Sequence, residues 1–352
     1  MRVFCYFVEP ASYTIDLIVN VHSKQGIEHA FINNKSEAKT KEFLASTTFL
    51  SDFSLPQKIK FVRSIRKEHD LVIINGYNNY VFIFNFLFNI FSANKKYIAA
   101  ESDTQLKIPN NIIKRIIKYI YLNVIFRNKY VLGFAGGSKT HKDLFRNYGM
   151  KEERIFMIPM MVNNEKYYHE NKISPHRFTF LFVGRLLDTK NVDVLCERFL
   201  SACSDKYSEL IIVGGGPNLE VYKRKYNNEK ILFKGSVFGD SLLRLYHNSS
   251  VFVFPSSVES WGLVVNEAMS SSLSIIAHKE VGSVHDLIIN KETGFVIDNW
   301  DELEEKMLEL YNNPDLNRKM SENAVALMKD YWNYDLYTKN LLFSIQKVEQ
   351  WI

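Results

Sequence analysis

From residue 178 onward the chain repeats one pattern: a short, unbroken apolar run followed by a stretch with helical periodicity. The runs are Phe178–Val183 (FTFLFV), Leu210–Val213, Ile231–Phe233, Val251–Phe254, Leu273–Ala277 and Gly294–Ile297. Runs this short, apolar at every position and rich in β-branched and aromatic residues suit strands covered on both faces. Helical patterns separate them, at Leu219–Tyr226, Ser241–His247, Gly262–Ser271 and Trp300–Tyr311. Strand and helix in alternation predict a parallel, doubly wound α/β sheet.

The first half carries the same signal at Val3–Val8, Ile27–Ile32, Leu71–Ile74, Tyr97–Ala100, Val131–Ala135 and Ile155–Ile158. A chain of 352 residues has room for two domains of ~100–200 residues each. The polar stretch Asn163–His176 marks the boundary. The expected organisation is a Rossmann-like domain over 1–165, a linker over 166–176, a second Rossmann-like domain over 177–330 and a C-terminal helix over 331–352. Open α/β sheets bind ligands beyond the carboxyl ends of their strands, so two such domains should place the site in the cleft between them.

Composition removes several classes. With 46% hydrophobic and 24% charged residues the chain is neither disordered nor fibrous. Three cysteines, Cys5, Cys196 and Cys203, point to a reducing compartment rather than a disulfide framework, and no Cys-x-x-Cys pair supports a structural zinc. The N-terminus reads as a strand and lacks signal-peptide character. The longest apolar run, near Val81–Phe91, is broken by Asn85 and Asn89 and falls short of the ~20 residues of a spanning helix. The expected location is therefore cytoplasmic. Charge is uneven: residues 1–165 hold 23 Lys and Arg against 14 Asp and Glu, and residues 166–352 hold 21 against 25. A basic front half suggests an anionic partner. Nucleic acid fits poorly, because no nucleic-acid-binding motif or stacking platform accompanies the charge. Lys107–Tyr130 has six basic residues and no acid, with Ile113, Ile116, Ile117, Ile120 and Val124 at helical spacing. Two readings stay open for this amphipathic helix: an apolar face turned to the core, or a face that docks on anionic lipid at the inner side of the plasma membrane.

The residues just after the strands carry the chemistry. Gly184 lets backbone approach a ligand, and Arg185 and Lys190 put two cations at the edge of the sheet; solvated loop cations are an equal alternative when these are taken alone. Gly214-Gly215-Gly216-Pro217 lacks the third glycine of a dinucleotide fingerprint, since Leu219 stands there, so a tight turn is expected. Glu259 and Glu267 lie eight positions apart, flanking a helix start near Ser260–Gly262. Free backbone N–H groups and the positive end of the helix dipole favour a diphosphate there, while carboxylates would accept hydrogen bonds from sugar hydroxyls. A capping arrangement with one exposed acid is the plainer alternative. His285 is expected to be an ordinary surface histidine.

These residues resemble the retaining glycosyltransferases of family four, which have the two-domain GT-B fold. ESWGLVVNEAM carries the family's Glu-x7-Glu signature, FVGRLLDTKN its Gly-Arg-Leu-x3-Lys segment, and IVGGGP, VGSVHDLI and TGFVI follow in order. IFMIPMMVN resembles the end of the family's first domain. The resemblance covers about residues 155–300 well and the first half weakly. It implies that Arg185 and Lys190 hold the donor diphosphate, with Glu267 on the nucleotide ribose and Glu259 on the transferred sugar. It further implies that Gly184, Ser260, Trp261, Gly262 and Leu263 line the donor, and that Gly235, Ser236 and Val237 lie near the base. The first domain would bind the acceptor, and the C-terminal helix would cross back to it. Two positions depart from the family: Glu9-Pro10-Ala11-Ser12-Tyr13 replaces a Gly-Gly turn, and Asn75-Gly76 replaces a histidine-bearing strand end. Ser12, Asn75 and Gly76 are therefore the acceptor-side candidates.

The function implied is a hexosyltransferase that moves a sugar with retention from a UDP- or GDP-sugar to a glycan. A lipid-linked acceptor in bacterial surface polysaccharide, such as O-antigen (lipopolysaccharide) or capsule, is the class expected by analogy. No Asp-x-Asp occurs, so neither a metal nor any other cofactor is expected. Two competitors are a nucleotide-sugar epimerase on the same fold and a non-catalytic nucleotide-sugar-binding module.

Overall fold

The computed structural model describes residues 1–34, 47–170 and 176–352. Tertiary contacts divide the chain into two units, Met1–Met161 with Tyr334–Ile352, and Val162–Asn333.

The first unit is built on six parallel strands: β1 (Val3–Phe7), β2 (Glu28–Phe31), β3 (Leu71–Asn75), β4 (Tyr97–Ser102), β5 (Val131–Ala135) and β6 (Ile155–Met157), in the spatial order β2-β1-β3-β4-β5-β6. The second has β7 (Phe178–Val183), β8 (Ser208–Val213), β9 (Ile231–Gly235), β10 (Val251–Phe254), β11 (Ser274–His278) and β12 (Gly294–Ile297), in the order β12-β11-β10-β7-β8-β9. Each of the twelve runs picked from sequence is a strand. The central ones are buried throughout, as at Val251–Phe254 and Val131–Ala135. Full burial of side chains such as Phe180, Phe182 and Phe252 contributes ~1.5–3 kcal/mol each.

Residues 164–167 form a short helix whose Asn164 amide donates to the Met328 and Trp332 carbonyls at 2.7 and 2.9 Å. This turn therefore packs with the second unit, on the far side of the sequence boundary drawn at residue 165. Within the expected linker, residues 171–175 lie outside the described residues. The C-terminal helix, Tyr334–Glu349, belongs to the first unit: Tyr337 reaches His22 at 3.1 Å, and Glu349 meets the N-terminal amine at 2.9 Å.

The helix Ile112–Phe126 settles one of the two open readings. It packs through Leu122, Ile125 and Phe126, whereas the stripe Ile113, Ile116, Ile117, Ile120 and Val124 is exposed, Ile113 by 65%. The core-facing alternative fails for that stripe. The preceding helix, Tyr80–Phe91, also exposes Leu87, Ile90 and Phe91.

In the second unit the strand ends are laced backbone to backbone. The Gly184 N–H donates to Val213, the Gly214 N–H to Gly235 at 2.7 Å, and the Leu186 N–H to Gly215 at 2.8 Å. A Cβ on Gly214, where φ is 140°, would sit 1.8 Å from the Gly184 carbonyl oxygen. The triple glycine is thus a tight turn that serves backbone packing, whereas Gly235, also at positive φ (66°), faces open space. Gly214→Ala should cost ~3 kcal/mol, lowering the melting temperature of the second unit by about 6–12 °C, and Gly235→Ala about 1 kcal/mol. Thermal unfolding of the two variants side by side checks the contrast.

Candidate functional site

In the second sheet the strand order reverses between β7 and β10, which are neighbours in space and far apart in sequence. Helices that leave adjacent strands for opposite faces part the loops at such a point, and a crevice opens beyond the carboxyl ends. The two loops at this position are Gly184–Asn191 and Pro255–Gly262, which hold most of the candidate donor residues.

These loops are fixed to one another. The Asn191 backbone is left-handed (φ 50°), and its side-chain amide donates to the Pro255 carbonyl at 2.9 Å. The Ser257 N–H donates to the Thr189 carbonyl at 2.9 Å, and the Ser256 and Ser257 hydroxyls donate to the same oxygen. The lacing brings the Lys190 ammonium onto the Glu259 carboxylate as an ion pair, with only 13% and 22% of the two side chains exposed. The ammonium also lies 5.1 Å from the Phe254 ring centre, a cation–π contact that helps hold it at the strand end. Arg185 is exposed and, among the described residues, its guanidinium has no side-chain partner. The site thus contains one paired, half-buried cation and one free cation.

The helix after β10 runs Leu263–Ser270 and begins without a side-chain cap, behind Gly262 at φ 90°. A Cβ at Gly262 would press on Glu259, Phe254 and Val281 at 3.1–3.2 Å. Its uncapped end leaves backbone N–H groups for an anion. Ser260 is exposed and Leu263 half-buried. Trp261 is 1% exposed and stacks on Trp332 at 5.5 Å and 14°, its indole N–H donating to Asn266 at 2.8 Å. Its side chain anchors the loop from below, and only its backbone can face a ligand. The loop is further held by a bridge from Glu259 to Val281 and by the Ser283 N–H on the Trp261 carbonyl.

Glu267 sits four residues into that helix, half-buried. It accepts a hydrogen bond from the Tyr246 hydroxyl at 2.8 Å and another from Tyr167. Burial pushes its carboxyl above the usual range, and the tyrosines pull against that shift. The partner that a half-buried acid requires is therefore inside the protein. Neither Tyr167 nor Tyr246 is legible as a site residue in sequence, because both reach Glu267 only through tertiary packing. Gly235 ends β9, Ser236 and Val237 follow it, and they join the group through the triple glycine, where a Cβ on Gly215 would lie 2.8 Å from the Ser236 hydroxyl.

Ser12, Asn75 and Gly76 lie in the first unit. Ser12 follows β1, Asn75 ends β3 and Gly76 follows it, and β1 and β3 are the pair at which that sheet's order reverses. Ser12 is exposed and opens the short helix Ser12–Leu17. Gly76 is left-handed (φ 83°), and its N–H donates to the Glu101 carbonyl at 2.7 Å. The Asn75 amide donates to the Glu101 carboxylate. The apolar run read from sequence stops at Ala100, and Glu101, which no motif marks, lies inside the longer strand Tyr97–Ser102.

Residues 163–326, nearly all of the second unit, match the family model of glycosyl transferases group 1. The chain is 33% identical over 162 residues to the sulfoquinovosyl transferase SQD2 of Arabidopsis thaliana, covering 46% of this chain and 30% of that one. It is 27% identical over 217 residues to the capsular polysaccharide biosynthesis glycosyltransferase CapM of Staphylococcus aureus, covering 59% and 52%. The chain spans about half or less of the length of these curated relatives. In overall fold it is similar to Anabaena Alr3699/HepE, solved in complex with UDP, with a TM-score of 0.78 over 98% of this chain and 100% of that one at 14% identity. It is likewise similar to the sucrose-phosphate synthase of Thermosynechococcus elongatus, with a TM-score of 0.73 over the whole of both chains at 14% identity. At such identities the likeness shows the fold, which is GT-B.

A double-mutant cycle on Lys190→Ala and Glu259→Ala should give a coupling of ~1–2 kcal/mol in the stability of the second unit. A coupling below about 0.3 kcal/mol by denaturant titration would show that the two side chains do not hold each other.

Proposed function

We propose that this chain is a retaining glycosyltransferase of the hexosyl type that moves a sugar from a nucleoside-diphosphate sugar to a glycan. The observation that carries this reading is the grouping of Arg185, the Lys190–Glu259 pair and the uncapped Leu263–Ser270 helix at the switch point of the second sheet. The family match over residues 163–326 supports it independently.

An ammonium has three N–H donors. Lys190 can therefore keep Glu259 and still donate to a phosphate oxygen, and Arg185 is free to grip a second one bidentately. The helix amides would add neutral donors with a favourable dipole. In the reaction the bond from the anomeric carbon to the diphosphate oxygen breaks, and a bond from the same carbon to the receiving hydroxyl oxygen forms on the same face. The hydroxyl proton passes to the departing diphosphate. Charge grows on that leaving group, so the fixed cations and amides act where the transition state is most negative. Glu259, beside Lys190, would order the transferred sugar's hydroxyls, and Glu267 would order those of the ribose. Two cations and the helix end supply the charge that a metal would otherwise supply, so transfer is proposed to be metal-independent.

The physiological acceptor is proposed to be a lipid-linked glycan of bacterial surface polysaccharide, approached from the cytoplasmic face of the membrane. The exposed stripe on Ile112–Phe126, with Lys114 and Arg115 on the same helix, supports a peripheral position there. Among the described residues no helix is long and apolar enough to cross a membrane.

UDP or GDP, alone or with its sugar attached, should raise the melting temperature by mass action. Lys190→Ala and Arg185→Ala should each lower kcat for transfer by ~10²–10³-fold with the fold intact, and EDTA should leave wild-type turnover unchanged. Absence of nucleoside diphosphate release from every nucleotide sugar, with or without glycan, would overturn the reading. The membrane part is tested separately by flotation. Vesicles of phosphatidylcholine with phosphatidylglycerol should carry the protein, and Lys114→Gln with Arg115→Gln should weaken that binding by about 2 kcal/mol, roughly 30-fold. Equal flotation on uncharged vesicles, or none on either, would remove the anionic surface from the proposal.

A further inference from the structure

The first unit holds a chain of buried polar groups at the carboxyl edge of its sheet. Glu101, near the end of β4, is 8% exposed. It accepts from the Asn75 amide at the end of β3, and it also accepts from the hydroxyl of Tyr337 on the C-terminal helix. The Tyr337 hydroxyl is in turn 3.1 Å from His22 Nε2. Burying a carboxylate is costly unless hydrogen bonds satisfy it, and here the amide and the tyrosine hydroxyl supply them. The consequence lies at Asn75. An ionised carboxylate can only accept, so the Asn75 amide must present its nitrogen to Glu101. The Asn75 side-chain oxygen is then committed to nothing among the described residues, and the residue is half-buried beside left-handed Gly76.

We propose that Glu101 is a positioning residue for the receiving glycan: it holds the Asn75 amide nitrogen and so leaves the Asn75 carbonyl oxygen as a fixed hydrogen-bond acceptor for a glycan hydroxyl, with Tyr337 steadying the carboxylate. This rests on the glycosyltransferase reading and assigns Asn75 a defined polarity within it.

The arrangement is sensitive to pH. Burial first, and the nearby Asp103 charge second, push the Glu101 carboxyl up to about 7, against the pull of Tyr337. The other groups that interact with it are Cys5 on β1, Tyr13 on the helix Ser12–Leu17, and Tyr337, all three of whose protons are held more tightly than usual. His22, behind Tyr337, is pushed down to about 3 and stays neutral. Glu101 is therefore the group of this cluster that changes charge near neutrality. Once protonated it becomes a donor, the Asn75 amide can turn its oxygen inward, and the acceptor face is lost. The affinity for glycan should therefore fall as pH drops through about 7. Stability runs the other way: an acid whose folded value is raised binds its proton more tightly in the folded chain, so stability falls as pH rises from the unfolded value to about 7.

Steady-state kinetics with donor and glycan varied separately, from pH 5.5 to 8.5, test the inference. Glu101→Gln should raise KM for glycan about 10-fold and flatten its pH dependence, with donor KM and glycan-independent donor hydrolysis unchanged. It should also melt higher than wild type at pH 8, with no such gain at pH 5. Tyr337→Phe removes a bond to the ionised form and should move the pH limb upward. Asn75→Ala should reproduce the glycan KM effect, and the double variant Glu101→Gln, Asn75→Ala should be no worse than Asn75→Ala alone. A Glu101→Gln enzyme with wild-type glycan KM and pH profile would overturn the inference, as would additive effects in the double variant, while turnover by wild type would leave the glycosyltransferase reading standing. A wild type that turns over no nucleotide sugar would remove both.

Discussion

β7 and β10 are adjacent in space, yet the chain winds away from each in opposite directions. Everything at the candidate donor site follows from this. Side by side, the strands aim the loops Gly184–Asn191 and Pro255–Gly262 at one patch of surface, and the diverging helices keep that patch uncovered. Backbone contacts then remove the freedom that loops usually have. Asn191 takes a left-handed conformation so that its amide can reach the Pro255 carbonyl, and the Thr189 carbonyl accepts from two serines of the facing loop. A charged pair set on such a frame is preorganised, and little reorganisation remains when an anion arrives.

The two units handle buried acids differently. In the second, Glu259 meets a cation and stays partly open, whereas Glu267 is satisfied by tyrosine hydroxyls and its carboxyl is raised by burial. In the first, no cation among the described residues neutralises Glu101: an amide and a tyrosine hydroxyl share the carboxylate, and desolvation governs its charge. Coulombic pairing suits a site that must tolerate a doubly charged phosphate. Neutral donors suit a site that must distinguish one hydroxyl from water without attracting anions.

Sequence patterning revealed the fold because strands covered on both faces write their burial directly into consecutive residues, as in FTFLFV and VFVF. Arg185, Lys190 and Glu259 stand out in sequence because each lies in the loop just after a strand, and Glu267 because it follows Glu259 by eight positions, on the helix Leu263–Ser270. What lay beyond reach was any relation set by tertiary packing. Tyr246 and Tyr167 look like ordinary aromatic positions until the helix Leu263–Ser270 brings Glu267 against them. Trp261 sits within a donor-like motif, yet its indole is buried against Trp332. Periodicity identified an amphipathic helix at Ile112–Phe126 but could not say which way its isoleucines point, because a core face and an exposed face have the same spacing. Glu101 is a single acid just past the apolar run Tyr97–Ala100, and no motif marks it; its bonds to Asn75 and Tyr337 exist only through tertiary packing.

Tyr337 closes the first unit from near the opposite end of the chain, and this has a consequence for biosynthesis. As the nascent chain leaves the ribosome, His22 and Glu101 emerge early, but the side chain that bridges them is translated only after the entire second unit. At ~5–20 residues/s the stretch from Glu101 to Tyr337 takes on the order of 10–50 s. Until that helix is made, the amino-terminal half lacks the Tyr337 contacts to Glu101 and His22, whereas the second unit is one continuous stretch, Val162–Asn333. Order of synthesis and order of completion are thus reversed, and the last helix made acts as the keystone of the first sheet made.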